Sequence, residues 1–567
     1  KAPIARAEAP TQGIIAGPAY RFRGDTILAS GALTVADLLE RVPGVVVFRS
    51  GYLASAQTAS YLGDFRRIRV FREAVEVDPV DPRNGGVLDL TDVQLWLAEE
   101  VTIEPTAGEV RVFIRTRAPN NTTPQTRVDV FTGDQETNLY RAFYGKRFTN
   151  GGLLQVNLQE YGTGRANRTG GGGDATNALV RLGWARRNRS IDLTFTRIDR
   201  RRNRGNDYFS LDSVLVGFLG RRDEATLRAA YGDPEQGVWA QAIANVLRFR
   251  LEDPQYAAAP AGDTATRAYS DSNVYRNQYV LTGGFTRWGV RFTATDRYRV
   301  GAGHAYHAPS LRAAYDINRL SLSGVAERVG TDSTKRVDVS ARFAILPRIA
   351  ALGGVSSTTG DSAVGGTRRV VRAQLAADVT RNAWLSLGRV IRDGGIFLPP
   401  RLYGVPGGTP VATTEGRAQG IIGEFRGEVL PFITADFGGT AWDNAGLYRP
   451  KYQGRGELRF ASDFLRRFPT GEFGLQVAFS DEYRSNTAFP LAPSPAVGST
   501  APASGPITIT RAAASNVIGA QLEIRIQHAV VSYQVRNLGS RFYQEVPGVQ
   551  LPRGAVSLYG VRWEFGG

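Results

Sequence analysis

From about residue 125 to its end, the chain is written in runs of about ten residues that alternate apolar and polar, broken by Gly, Pro, Asp and Asn. A period of two gives a strand with two unlike faces. Ile191, Leu193 and Phe195 alternate with Asp192, Thr194 and Thr196. Val337, Val339, Ala341 and Phe343 alternate with Arg336, Asp338, Ser340 and Arg342, and Leu522, Ile524 and Ile526 with Gln521, Glu523 and Arg525. Soluble sandwiches and propellers also alternate, but their strands run to only ~5–6 residues. Here the second face carries full charges where a sandwich needs apolar contact. A membrane barrel sets one face against lipid and the other against a wet lumen, and its closure leaves no unpaired edge in lipid. No stretch reaches the ~18 apolar residues of a membrane-spanning helix, so a helical membrane protein is excluded.

Composition narrows the function classes. With 42% apolar residues among 567, the chain is not of disordered type. It has no Cys, which removes disulfide scaffolds, thiolate metal sites, iron–sulfur clusters and thiol catalysis. The +16 charge is almost all arginine, since the lysines are Lys1, Lys146, Lys335 and Lys451 alone. These arginines are spread along the chain, not gathered in a patch, so no nucleic-acid partner is expected. They read either as codon usage or as a lumen or rim that attracts anions. The chain starts at Lys1, and the expectation is that an initiator and any signal peptide have been removed. Nothing in the sequence explains the lack of internal Met.

Connections also alternate in character. Residues 527–529 make a tight link, whereas 199–237, 253–273, 399–420 and 484–515 read as long loops rich in Gly, Pro, Ser or Ala. Tight turns on one rim and long loops on the other are usual for outer-membrane barrels, the tight rim being periplasmic. Within this stretch, 223–230 and 238–247 have some helical character. At roughly 20 residues per strand with its connection, residues 119–567 hold about 20–22 strands. Side chains cannot fill a barrel that wide, so it is open or plugged.

The first part of the chain reads as a small α+β unit. A helix is predicted over 34–42, with Thr34 as N-cap, Leu38, Leu39 and Val42 on one side, and Pro43–Gly44 as the stop. Strands follow at 45–49, 68–77, 101–104 and 109–117.

The segment 34–45 (TVADLLERVPGV), with Leu38, Leu39, Val42, Pro43, Gly44 and Val45, resembles the plug-domain opening of TonB-dependent outer-membrane receptors. Residues 86–117 resemble the rest of that plug. Near the C-terminus, Asn537–Leu538, Val546–Pro547–Gly548, Pro552–Arg553–Gly554 and 559–565 (YGVRWEF) resemble the family's closing hairpin. Tyr559, Val561, Trp563 and Phe565 share one face of that strand, a lipid-facing aromatic row. In the family, similar strands are the signal read by the barrel assembly machinery.

The resemblance implies an all-β membrane protein of the Gram-negative outer membrane. It implies a periplasmic segment over 1–20, a plug over 21–118 in the lumen, and a transmembrane barrel of about 22 strands over 119–567. It implies a receptor that binds and imports a scarce solute, with no enzyme activity and no cofactor. Its partners would be outer-membrane lipid and lipopolysaccharide, a periplasmic TonB-type energy coupler, the assembly machinery, and an unidentified solute or protein. Two departures favour a second reading, a non-transporting structural, assembly or surface-binding protein of the same fold. The plug is trimmed, because Glu104 is followed by Pro105–Thr106–Ala107–Gly108 and the next strand starts at once. No Ton box is visible in residues 1–17.

Catalytic constellations are lacking. His304 and His307 fall on opposite faces of a strand and suit one metal ion poorly. His528 reads as a solvated turn residue. Gly360–Asp361–Ser362 has no histidine base at hand, Gly170–Gly173 lacks the surroundings of a phosphate loop, and Glu99–Glu100 shows no partner spacing. The loop assignment is directly testable: protease added to intact cells should cut within 399–420 and 484–515. Cutting only after the outer membrane is broken would invert the topology.

Overall fold

The computed structural model describes residues 20–51, 53–80, 87–119, 121–164, 172–203, 205–206, 213–215, 218–251, 273–301, 304–330, 334–361, 366–397, 409–463, 467–468, 472–492, 506–551 and 554–566. From Gln125–Gly133 to Val556–Phe565, successive strands pair antiparallel with their chain neighbours, and the last pairs back on the first. Leu558 stands opposite Gly133 and Phe565 opposite Thr126. The ring holds 22 strands, counting His304–His307 and Ser310–Ile317 as one interrupted strand, since both pair with Val290–Gly301.

Side-chain alternation sets the orientation of each strand. Ile191, Leu193 and Phe195 are exposed on the outer surface, as are Val337, Val339, Phe343, Val371 and Leu375. Their neighbours Thr196, Arg336, Asp338 and Arg372 are buried toward the lumen. Such an apolar exterior is favourable only against lipid. The closing strand obeys the same rule. Tyr559, Val561, Trp563 and Phe565 point outward, Leu558 and Arg562 point inward, and the rings of Trp563 and Phe565 stack at 5.0 Å.

Links of two residues join Gly173–Arg186 to Arg189–Arg202, Phe218–Asp233 to Gln236–Leu251, and Asn273–Arg287 to Val290–Gly301. Trp288 and Gly289 both take positive φ, 55° and 76°, the backbone twist that a two-residue hairpin needs. All these links lie on one rim. The other rim bears the longer connections, including those from Arg392 to Ala418, Arg484 to Ser515 and Arg536 to Val556.

Two sequence expectations fail in the same place. Residues 223–230 and 238–247 are not helical; they belong to the antiparallel strands Phe218–Asp233 and Gln236–Leu251. Their alanines favour a helix locally, but ladder pairing on both sides outweighs propensity. The long loop expected over 199–237 shrinks for the same reason, because 199–202 and 218–233 are paired strand. These two strands run 16 residues each, against 8 for Ala529–Arg536 and 10 for Ala383–Arg392, so the barrel wall is tall on one side.

The N-terminal unit sits inside this ring. Its core is a five-stranded sheet in the order Tyr20–Arg23, Ala98–Pro105, Val110–Thr116, Ile68–Arg72 and Val75–Glu76. The hairpin Val45–Arg49/Gln57–Tyr61 stands beside it. The predicted helix is shorter than expected, Val35–Leu39, and the Thr34 backbone N–H donates to Asp37 Oδ2 at 2.9 Å. A further short helix, Asp25–Ala29, was not foreseen. The predicted strand over 68–77 is broken by Glu73 and Ala74, both at positive φ, which turn the chain into the two-residue edge strand.

If the outward aromatic row meets lipid, Trp563→Ala should destabilise the barrel by about 2 kcal/mol, the worth of one large buried apolar side chain. Heat-modifiable gel migration measures the folded fraction. Wild-type folded levels in Trp563→Ala and Phe565→Ala alike would show that the row has no such role.

Candidate functional site

The lumen interface is built from charge. The barrel's inner face must be polar because its other face is apolar, and a plug surface facing it must match that polarity. Near the sheet centre, plug residues Arg69 and Arg111 meet wall residues Glu327 and Asp338, while wall Arg336 reaches back to plug Glu109. Arg69 also grips Glu76 with two nitrogens, at 2.6 and 2.9 Å. All of these groups lie almost wholly out of water, so each charge depends on its partners. Elsewhere Arg41 pairs with Glu457 at 2.7 Å, Tyr20 donates to Glu424, and Arg312 pairs with Glu104 at 2.7 Å. Backbone approach is equally close: a Cβ on wall Gly438 would lie 2.9 Å from Pro43 Cγ.

Between the plug and the strands 452–536 lies a cavity of about 140 Å³. Ser30, Asp37 and Gln57 line it from the plug, and Gln521, Arg536 and Tyr543 from the wall and the last outer connection. It is a mixed-charge gap, with Arg49 reaching Glu40 at 2.6 Å and Glu545 at 3.1 Å along its edge.

Above the plug the outer connections fold inward. Phe48 and Phe65 of the plug meet Tyr448 and Phe489 of two outer connections, with ring centroids 5.3–5.8 Å apart. Val46, Val546 and Leu491 complete this buried cluster. Arg449, itself buried, lies over the Trp442 ring at 4.2 Å and holds Glu415 at 2.6 Å. On the long-loop side the plug is thus covered by a buried aromatic cluster, a cap that it shares with two outer connections.

Burial pushes the Asp89 carboxyl up, but Arg202, Arg200 and the Thr91 hydroxyl outweigh it and hold it at about 2. Burial is outweighed likewise at Glu76, by Arg299 and Arg69, and at Asp64, by Arg66, Arg67 and Arg368, so both sit below the ordinary carboxylate range.

No family model matches the sequence, and no curated protein matches it either. Solved structures do. The siderophore receptor PirA from Acinetobacter baumannii superposes with a TM-score of 0.69 at 10% identity, covering 96% of this chain and 98% of that one. The chain has the TonB-dependent-receptor fold. The FrpB iron transporter from Neisseria meningitidis gives 0.66 at 11% identity, over 94% of this chain and 97% of that one. A ferric enterobactin receptor variant (PfeA) from Pseudomonas aeruginosa gives 0.67 at 10% identity, with both chains covered in full.

Within that fold the predicted residues take two separate places. Leu38, Leu39, Val42 and Val45 are buried in the plug core, with Pro43 buried beside them and Gly44 turning the chain at φ 90°. Tyr559, Val561, Trp563 and Phe565 lie on the barrel exterior, and nothing brings the two sets together. Glu100 is engaged by Arg21, Arg23 and Arg115. His307 Nδ1 lies 2.7 Å from Asp296 Oδ2 on the exterior, and His528 is exposed in its turn. Among the described residues no group of three His, Asp or Glu could hold a metal ion. Ser362, Gly170 and Gly171 fall outside the described residues, and Gly173 opens a barrel strand. The aromatic cap was missed; Phe48 reads locally as a strand residue and Phe489 as loop, and only the fold joins them.

A carboxylate with a depressed folded pKa stabilises the fold above its unfolded pKa, about 4, and loses that contribution as pH falls through the folded value. Plug attachment should therefore hold from pH 7 to about 5 and weaken between about 4 and 2. Hydrogen exchange of the amides in 73–80 and 87–92, corrected for intrinsic pH dependence, reads this directly. Unchanged protection at pH 2 would mean that charge does not hold the plug.

Proposed function

We propose that this chain is an outer-membrane receptor that binds a scarce solute from outside and imports it past the plug. The observation that carries the reading is a barrel too wide to seal itself, filled by a plug bonded to the wall mostly through separable ion pairs. Such contacts come apart only if water or other polar groups take over each buried charge, so plug displacement has to be driven. The outer membrane has no nucleotide supply, so plug displacement needs energy passed from the inner membrane by a TonB-type periplasmic coupler. The solved structures named as a siderophore receptor and an iron transporter support this reading. The lipid-facing aromatic closing strand supports recognition by the assembly machinery, and the apolar exterior supports contact with lipid and lipopolysaccharide.

Two observations favour the non-transporting alternative: the hairpin joining Ala98–Pro105 to Val110–Thr116 is short, and a buried aromatic cluster ties the plug to two outer connections. The two readings part under one experiment. Cells expressing the chain are compared, by untargeted mass spectrometry of their contents, with the same cells treated with a protonophore. The receptor reading expects at least one solute to accumulate only in energised cells, and Phe489→Ala to change its half-saturation by loosening the cap. Identical solute profiles with and without the chain would leave the surface-binding reading standing.

A further inference from the structure

The cavity between the plug and strands 452–536 owes its space to small residues. On Phe473–Arg484 the inward positions include Ala478 and Ser480, and on Ser515–Ile526 they include Gly519. Together these three leave a recess in a wall whose other inward positions carry long polar side chains such as Gln476, Glu482 and Gln521. A Cβ on Gly519 would stand 2.8 Å from Ser480 Oγ, so Ser480 lies over the place that a side chain at 519 would take. Opposite the recess the plug presents Ser30, Gly31 and Ala32, small residues again. The space between the two surfaces is about 140 Å³. A cavity of about 150 Å³ takes one six-membered ring.

The charges that line this space are engaged with one another. Arg536 forks onto Glu482 at 3.1 and 2.7 Å. Arg49 holds Glu40 at 2.6 Å and Asp37 at 2.9 Å, and Arg41 and Arg455 share Glu457. These four guanidiniums and four carboxylates all line the cavity, so the lining carries no net charge. An ion entering it either lacks a counter-charge or has to break a pair held away from water. The groups left over are uncharged. The Ser480 hydroxyl and the Gln534 amide make no hydrogen bond to any described residue, and Gln57 gives its Oε1 to Thr34 while its Nε2 has no partner among the described residues. The remaining side is apolar, made by Leu33 and Leu53 of the plug, Val517 of the wall, and Tyr543 and Leu551 of the last outer connection.

We propose that this cavity seats one ring of a neutral polyhydroxylated solute, a sugar or cyclitol, free or as the end unit of a longer saccharide. The inference rests on the importer reading and adds the substrate class. Such a ring has an apolar C–H face and a rim of hydroxyls, each of them both donor and acceptor. Its face fits the apolar side formed by Leu53, Tyr543 and Leu551. Its rim fits Ser480, Gln534 and Gln57, which between them offer donors and acceptors without charge. A ring that reproduces the hydrogen bonds of the water it displaces loses nothing at its rim and gains burial at its face. A sugar bearing an ammonium or a phosphate is desolvated there without gaining an ion pair.

The test is equilibrium binding to the purified full chain in detergent, read by titration calorimetry. The neutral probes are D-glucose, D-galactose and myo-inositol. Glucosamine, glucose 6-phosphate and L-serine are their cationic, anionic and zwitterionic counterparts. At least one neutral probe should bind saturably, and all three charged probes at least about tenfold more weakly. Maltose and lactose separate the two sources of the ring: binding tighter than the free hexose marks an end unit, and weaker binding marks a free ring. Ser480→Ala and Gln534→Leu leave the space nearly unchanged, and each should weaken binding roughly three- to tenfold, the worth of one neutral hydrogen bond. Ala478→Leu fills the recess and should abolish binding in protein whose heat-modifiable migration shows a folded barrel. No saturable binding by any neutral probe overturns the seat and the substrate class. So does charged-probe binding as tight as neutral binding, or neutral binding unchanged in Ser480→Ala and Gln534→Leu. Energised uptake of another solute then leaves the importer standing, whereas its absence as well counts against the importer itself.

Discussion

Everything in this molecule descends from one requirement: backbone groups inside lipid have no water to bond, so a sheet placed there must close on itself. Closure with 22 strands fixes a wide lumen, and width brings in a plug. Because the outer face is given over to lipid, the inner face is largely polar, and polar contacts carry much of the hold on the plug. Arginine suits that task better than lysine, since its fixed fork bridges two carboxylates at once, as Arg49 does with Glu40 through Nη1 and Asp37 through Nη2. The near absence of lysine thus has a structural use in the lumen whatever its origin in codon usage.

How much of this was legible beforehand follows from how local each signal is. Period-two alternation is local, so the barrel, its strand count and the exposure of residues such as Val337 and Phe565 could be read from the chain. The plug helix at Val35–Leu39 and the turn at Gly44 are local as well. Misreading began where local propensity and sheet pairing disagree, at 223–230 and 238–247, whose Ala-rich runs take strand form because both neighbours are strands. The cap and the ion pairs were out of reach for a different reason. Phe48 and Phe489, or Arg299 and Asp78, are hundreds of residues apart, and no spacing rule joins them.

The plug is held by two kinds of contact. Ion pairs tie it to the wall up to the outer rim, where Arg202 holds Asp89, and these respond to acid. Where outer connections fold over the plug, edge-on aromatic rings add apolar burial that does not respond to acid.

The tall side of the barrel has a geometric effect of its own. The strands Phe218–Asp233 and Gln236–Leu251 outreach Ala529–Arg536 and Ala383–Arg392 elsewhere in the ring, so the wall is higher on one side than on the other. The tall side carries the inward-facing Arg222 and Arg228, so the highest part of the wall is also an arginine-bearing one.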